Sequence, residues 1–218
     1  MNGLLACALV LPLAGHAQTA PQKASPSTSS QQAAESQSAE KTQMPAEPGG
    51  HVYLQGDGLI GTGPVLVTAL IDRSDPASRA EIPYLAAMVA QTPKVTVDIK
   101  ELPLLDRNSV ELSRRLVAIR LHGGMRMWEE MEYAIARTTL PVTPERMDAQ
   151  AEKLGLHDLA GLAHEKDVTD YLMDVRRFAN GLSIHSTPVI MVGDQLRLGL
   201  QTTDMLLKTL AKARMPGE

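Results

Sequence analysis

Asp75 and Ser78 stand three residues apart in the segment Ile71-Asp72-Arg73-Ser74-Asp75-Pro76-Ala77-Ser78. At that spacing on a helix start an acid and a hydroxyl share one face, so a carboxylate acting as general base is the first chemistry to consider. The competing reading is structural. Asp before Pro at a helix start accepts from exposed N–H groups, while Pro at the first helical position gives up no donor, and this cap is the stronger reading of Asp75. Redox chemistry has little to work with, because the 218-residue chain holds a single cysteine, Cys7. Thiol-disulfide exchange needs an attacking thiolate and a partner sulfur, and everything beyond Cys7 lacks both. The histidines show no paired ligand spacing in a strand or loop, so no metal site is expected. His157 and His164 can share a helix face but read as solvated side chains. Met127 and Met131 at helical spacing read as core fillers, and the pairs Arg114-Arg115 and Arg176-Arg177 as solvated faces.

The elements that must position these residues follow from composition and periodicity. A hydrophobic fraction of 44% with 21% charged residues supports one sizeable core. Aromatics at 3% and 21 basic against 25 acidic residues give no support for nucleic-acid binding. The apolar run from Leu4 to Leu13 has the length of a secretory leader core and is too short to span a bilayer. Small residues Gly15 and Ala17 place the expected cleavage after Ala17, so residues 1–17 read as a signal peptide and the protein as periplasmic or secreted. No Lys or Arg precedes that run. Leu4-Leu5-Ala6-Cys7 has the look of a lipoprotein box but comes early in it, so membrane contact is expected only if the leader is retained or lipidated. Residues 18–50 are rich in Ser, Gln, Ala and Pro, a composition that cannot bury enough surface to order, and read as a flexible tether.

Residues 51–218 should form the domain. Val65 to Ile71 reads as a strand buried on both faces, and a helix begins near Pro76 with Ile82, Leu85, Ala86 and Val89 on its apolar face. Pro83 should kink that helix, and Thr92-Pro93 should end it. Val95, Val97 and Ile99 alternate with Thr96, Asp98 and Lys100, the pattern of a strand buried on one face. Helical patterns follow over 109–121, 125–137, from Thr143 to Gly155, around Leu159 and Leu162, and over 168–179. Two short strand patterns then flank Gly193-Asp194 as an antiparallel hairpin, and 202–213 reads as a closing helix. Strand, helix, strand requires a crossover between parallel strands, so the fold class is α/β, a mixed sheet with a helical insertion at about 105–181.

This order of elements, with its local motifs over Val65 to Leu210, resembles the DsbA-like branch of the thioredoxin-fold proteins. In that family the first strand leads into a CxxC motif at a helix start, a Pro follows the second Cys by five residues, and a cis Thr-Pro opens the hairpin. Ser78 and Pro83 keep the first spacing and Thr187-Pro188 matches the second motif, but Asp75 and Ser78 stand in the two cysteine positions, around Pro76 and Ala77. The resemblance implies a degenerate member without oxidoreductase activity and without a cofactor. Its polypeptide-binding surface would be His185, Ser186, Thr187 and Pro188, where backbone groups of Thr187 can pair with an extended peptide. Partners would be exported or envelope proteins or peptides. The family layout also sets the Thr-Pro loop against the first helix, so Ser78, Asp75 and His185 could meet as a nucleophilic cluster, although no nucleophile elbow is present. Two alternatives are a kappa-type glutathione transferase or isomerase, which has Ser near the same helix start, and a structural subunit of an envelope complex.

Overall fold

The computed structural model describes residues 57–213, so the expected leader, Cys7 and the tether to Gly50 lie outside the described residues. Strand β1 (Gly58–Gly61) was not foreseen from the sequence: its four residues are too few and too glycine-rich to show a period. Strand β2 (Val65–Ile71) is the expected apolar run, and it leads into helix α1 (Pro76–Gln91) and strand β3 (Val95–Glu101). Helix α2 (Arg107–Ala118) passes through a π-helical turn at Ile119–Gly123 into α3 (Gly124–Arg137). Helices α4 (Pro144–Lys153), α5 (Leu159–Leu162) and α6 (Lys166–Gly181) complete the helical stretch. The hairpin β4 (Val189–Val192) and β5 (Gln195–Leu198) and helix α7 (Thr203–Lys212) close the domain. Gly193 takes the positive φ of 53° that the two-residue turn between the hairpin strands requires.

The five strands form one mixed sheet in the order β1-β3-β2-β4-β5. Only β2 and β3 run parallel, with Val65 opposite Val95 and Ile71 opposite Glu101, and α1 is the crossover between them. The hydrophobic centre is Val67, Ala69, Leu70, Ile71, Val95, Val97 and Ile99 of the sheet, covered by Leu85 and Met88 of α1, Leu112 and Leu116 of α2, and Val175 of α6. Met131 is buried in this core and Met127 packs against it, as the spacing indicated.

Three expectations are corrected. The alternation in β3 marks opposite faces but not exposure, since all seven of its residues are buried. Between β1 and β2 the strand has helices over both faces, so its polar side chains must find partners inside. Lys100 Nζ lies 2.6 Å from Asp57 Oδ2 and 3.0 Å from Asp98 Oδ2, and the Tyr171 hydroxyl donates to Asp57 Oδ1 at 2.7 Å. Burial holds the Asp98 carboxyl above the usual range, against the pull of Lys100. Second, the buried face of α1 is Ser78, Glu81, Leu85 and Met88, while Ala86 is exposed and Ile82 and Val89 half-buried. That face opens on two polar residues, which hydrophobic periodicity cannot register. Third, Arg115 is no solvated side chain. It is buried, with Nε 2.8 Å from Asp148 Oδ1 and Nη1 2.8 Å from Glu111 Oε2, and Arg114 Nη1 donates to the Ala163 carbonyl at 3.1 Å.

Candidate functional site

The connection from β2 to α1 is held at several points by its own side chains. Asp72, fully buried at the strand end, accepts four hydrogen bonds: from the Ser74 N–H at 2.9 Å and the Ser109 hydroxyl at 2.5 Å on Oδ1, and from the Leu104 and Leu105 N–H groups at 2.7 and 3.0 Å on Oδ2. One carboxylate therefore fastens the β2–α1 loop to the β3–α2 loop. Sequence reasoning passed over Asp72, although Asp two residues before Ser74 is the Asx-turn signal.

Arg73 is the second fastening. Its Nε donates to Glu101 Oε1 at 2.9 Å and Oε2 at 3.1 Å, its Nη2 to Oε1 at 2.7 Å, and its Nη1 to Glu132 Oε2 at 2.9 Å. Burial opposes the charge on Arg73, but Glu101 and Glu132 outweigh it and leave the guanidinium harder to deprotonate than usual. Burial likewise pushes the Glu101 carboxyl up, against the pull of Arg73. The Arg73 and Ser74 carbonyls each accept from Arg79 Nη1 at 3.0 Å, which ties the loop to the first turn of α1.

Asp75 then caps α1 as its position before Pro76 indicates. Its carboxylate accepts from the Ala77 N–H at 3.0 Å, the Ser78 N–H at 3.1 Å and the Ser78 hydroxyl at 2.7 Å. Ser78 is fully buried and its hydroxyl donates to Asp75. An anion at the helix N-terminus also meets the favourable end of the macrodipole. This arrangement positions a helix; it does not present a nucleophile. Asp75→Ala should therefore lower stability by about 1 to 2 kcal/mol, one cap plus a buried hydroxyl left without its acceptor, read from denaturant midpoints. An unchanged midpoint would remove the cap from the account.

The second motif lies at the same end of the sheet. Leu70 pairs with Val189, so Pro188 falls beside the carboxyl end of β2, four residues before Asp75. The Thr187-Pro188 peptide bond is cis. Pro188 is buried, Thr187 half-buried, and Ser186 and His185 are exposed. Among the described residues none offers a backbone hydrogen bond to His185, Ser186 or Thr187, whereas the Pro188 carbonyl accepts from the Gly199 N–H at 2.9 Å. His185 has no hydrogen bond or ion pair with Asp75 or Ser78 among the described residues, so the two motifs come together but the nucleophilic cluster does not.

His157 is exposed and lies 2.6 Å from Glu152, and exposed His164 lies 3.6 Å from Glu111. A cluster that the sequence reading missed gathers His122, Glu165 and Asp167, with His122 Nε2 at 3.5 Å from Glu165 and 3.9 Å from Asp167. All three are exposed, and the cluster lies on the protein surface. No described helix is long and apolar enough to cross a membrane.

No protein-family model and no curated protein sequence matches the chain. Solved structures do. The catalytic domain of Proteus mirabilis ScsC superposes with a TM-score of 0.64 at 17% identity, over 72% of this chain and 89% of that one. A periplasmic thioredoxin-like protein from Salmonella enterica serovar Typhimurium gives 0.64 at 18% identity, over 72% and 90%. The thiol-disulfide exchange protein α-DsbA2 from Wolbachia pipientis gives 0.62 at 14% identity, over 72% and 86%. Residues 57–213 therefore adopt the DsbA-like thioredoxin fold, on a stretch of sequence that contains no cysteine.

Proposed function

We propose that this is an exported, non-catalytic DsbA-like protein that binds extended polypeptide along His185 to Pro188. The observation that carries the reading is the pairing of a closed helix start with an open backbone. Asp75 and Ser78 satisfy each other, while the backbone groups of His185, Ser186 and Thr187 have no partner among the described residues. Donors and acceptors in such a row can take an extended chain by main-chain hydrogen bonding, which recognises polypeptide without demanding one sequence. The fold alone does not bring the neighbours' chemistry with it, because function resides in the site and the thiols are missing. Export is supported by the leader-like start of the sequence and by the periplasmic description of the Salmonella neighbour. A glutathione enzyme needs an accessible serine hydroxyl, and Ser78 is fully buried with its hydroxyl given to Asp75.

The test has two parts, on the full chain carrying Cys7→Ser. Insulin reduction should read at background, and titration with a reduced, carboxymethylated polypeptide should shift the Ser186 and Thr187 amide resonances before those of other surfaces. Turnover above background, or perturbations confined to another face, would remove the reading. Absence of any binding would favour a fixed structural subunit.

A further inference from the structure

Glu81 takes no part in polypeptide binding, yet its surroundings are poor for a carboxylate. It projects from α1 one turn beyond Ser78, on the same buried face, and is fully buried. Oε2 accepts the Gln201 N–H at 2.7 Å, and Oε1 has no hydrogen-bond partner among the described residues. Among the described residues no cation pairs with it. On α1, Asp75 caps the helix and Arg79 donates to the Arg73 and Ser74 carbonyls. On the neighbouring strands, Lys100 pairs with Asp57 and Asp98, Glu101 pairs with Arg73, and Arg197 donates to Thr209 and Gln195. Asp204, Lys208 and Lys212 of α7 are exposed. Burial therefore dominates and pushes the Glu81 carboxyl from 4.5 to about 7, with only the Gln201 N–H drawing it down.

Gln201 belongs to the short connection between β5 and α7. Two residues earlier in that connection, the Gly199 N–H donates to the Pro188 carbonyl at 2.9 Å. One loop is thus bonded to the buried carboxylate at Gln201 and to the candidate polypeptide-binding segment at Gly199. We propose that Glu81 is a proton-operated latch: protonated, it lets the Gly199–Gln201 loop close on α1, and ionised, it opens that loop and slackens the segment ending at Pro188. The physical reason is the orphaned oxygen. A full charge on a buried carboxylate with one donor is costly, and admitting water to Oε1 relieves the cost. Helix α1 is anchored by Leu85, Met88 and the Asp75 cap, whereas the loop carries Leu200 41% exposed and meets Glu81 through the buried Gln201, so the loop is the part that moves. The effect on binding rests on the polypeptide-binding reading; the latch itself does not.

The sign follows from linkage. The closed state holds the Glu81 proton up to about pH 7 and the open state, with an ordinary carboxyl, only to 4.5. Opening therefore becomes easier as pH rises through that window and levels off above it, by on the order of fifty-fold between about pH 5 and about pH 8. Hydrogen exchange on the full chain, corrected for intrinsic rates, should show that loss of protection at the Gln201 and Gly199 amides. The Gln201 amide shift should titrate with a midpoint near 7, and affinity for the carboxymethylated polypeptide should fall severalfold over the same range. Glu81→Gln, which keeps an acceptor for the Gln201 N–H but cannot ionise, should flatten all three profiles. A Gln201 amide without an inflection in wild type, or an unchanged inflection in Glu81→Gln, would overturn the latch. Should that variant not fold, the wild-type midpoint and protection decide the matter. Falling protection with constant affinity would overturn the coupling, and no binding at any pH would overturn the polypeptide reading while loop protection still judges the latch.

Discussion

Replacing Arg73 by Met should destabilise the domain by about 3–5 kcal/mol, the range for removing one member of a buried ion pair. For a domain of this size that is roughly 10 °C in Tm. The guanidinium stands between two carboxylates whose side chains are only 4% (Glu101) and 12% (Glu132) exposed, and it meets Glu101 along its fork edge. Met matches the apolar stem but leaves two anions facing each other in the interior with no cation between them. Two mechanisms could give a loss of this size, a cavity or an uncompensated charge, and pH separates them. Burial already pushes the Glu101 carboxyl up, so without Arg73 protonation should come easily and relieve the repulsion. The cost of Arg73→Met should therefore shrink as pH is lowered, and Glu101→Gln added to Arg73→Met should restore part of the loss at neutral pH. A cost independent of pH, and not reduced by Glu101→Gln, would mean that packing rather than charge holds this corner.

The same corner shows what could be read from the sequence and what could not. Element order was legible because it depends on local chemistry: the apolar run Val65 to Ile71, the Asp75-Pro76 cap, the Gly193-Asp194 turn and the Thr143-Pro144 start each sit where the structure places them. The cap was legible for another reason, since Asp75 bonds to residues two and three positions along. Arg73 with Glu101 joins residues 28 apart, and Glu81 with Gln201 residues 120 apart. Nothing local marks those polar side chains as interior, and hydrophobic periodicity counts them as solvent-facing, as it does the buried Asp98, Lys100 and Arg115. Of the candidate site, residue types and the shared sheet end were legible. The inward turn of Ser78 onto Asp75 was not, because it depends on the packing of α1.

Introducing Cys at both positions, Asp75→Cys with Ser78→Cys, should convert the inert helix start into a redox pair. The two positions are three apart at the start of α1 and their side chains meet, with Asp75 Oδ2 2.7 Å from Ser78 Oγ, so both project to the same side of the first turn, where a disulfide must close. Losing the cap removes about 1 kcal/mol, but a thiolate at position 75 can accept the same Ala77 and Ser78 N–H groups. Those donors and the helix dipole favour the thiolate over the thiol, which is how reactive cysteines at helix starts lower their pKa below the ordinary value of about 8.5. The residue at position 78 lies on the buried face and should stay protonated longer, so the pair should titrate asymmetrically. Expected results are one thiol reacting with iodoacetamide at neutral pH, a single intramolecular disulfide on mild oxidation, and insulin reduction rising clearly above the background of the parent chain. Cys7→Ser in the same chain removes the remaining thiol as a source of that activity. If both thiols instead titrate together near 8.5 and do not pair, the Asp75 to Ser78 turn is not spaced for disulfide chemistry, and its identification with the CxxC position of the DsbA-like fold fails.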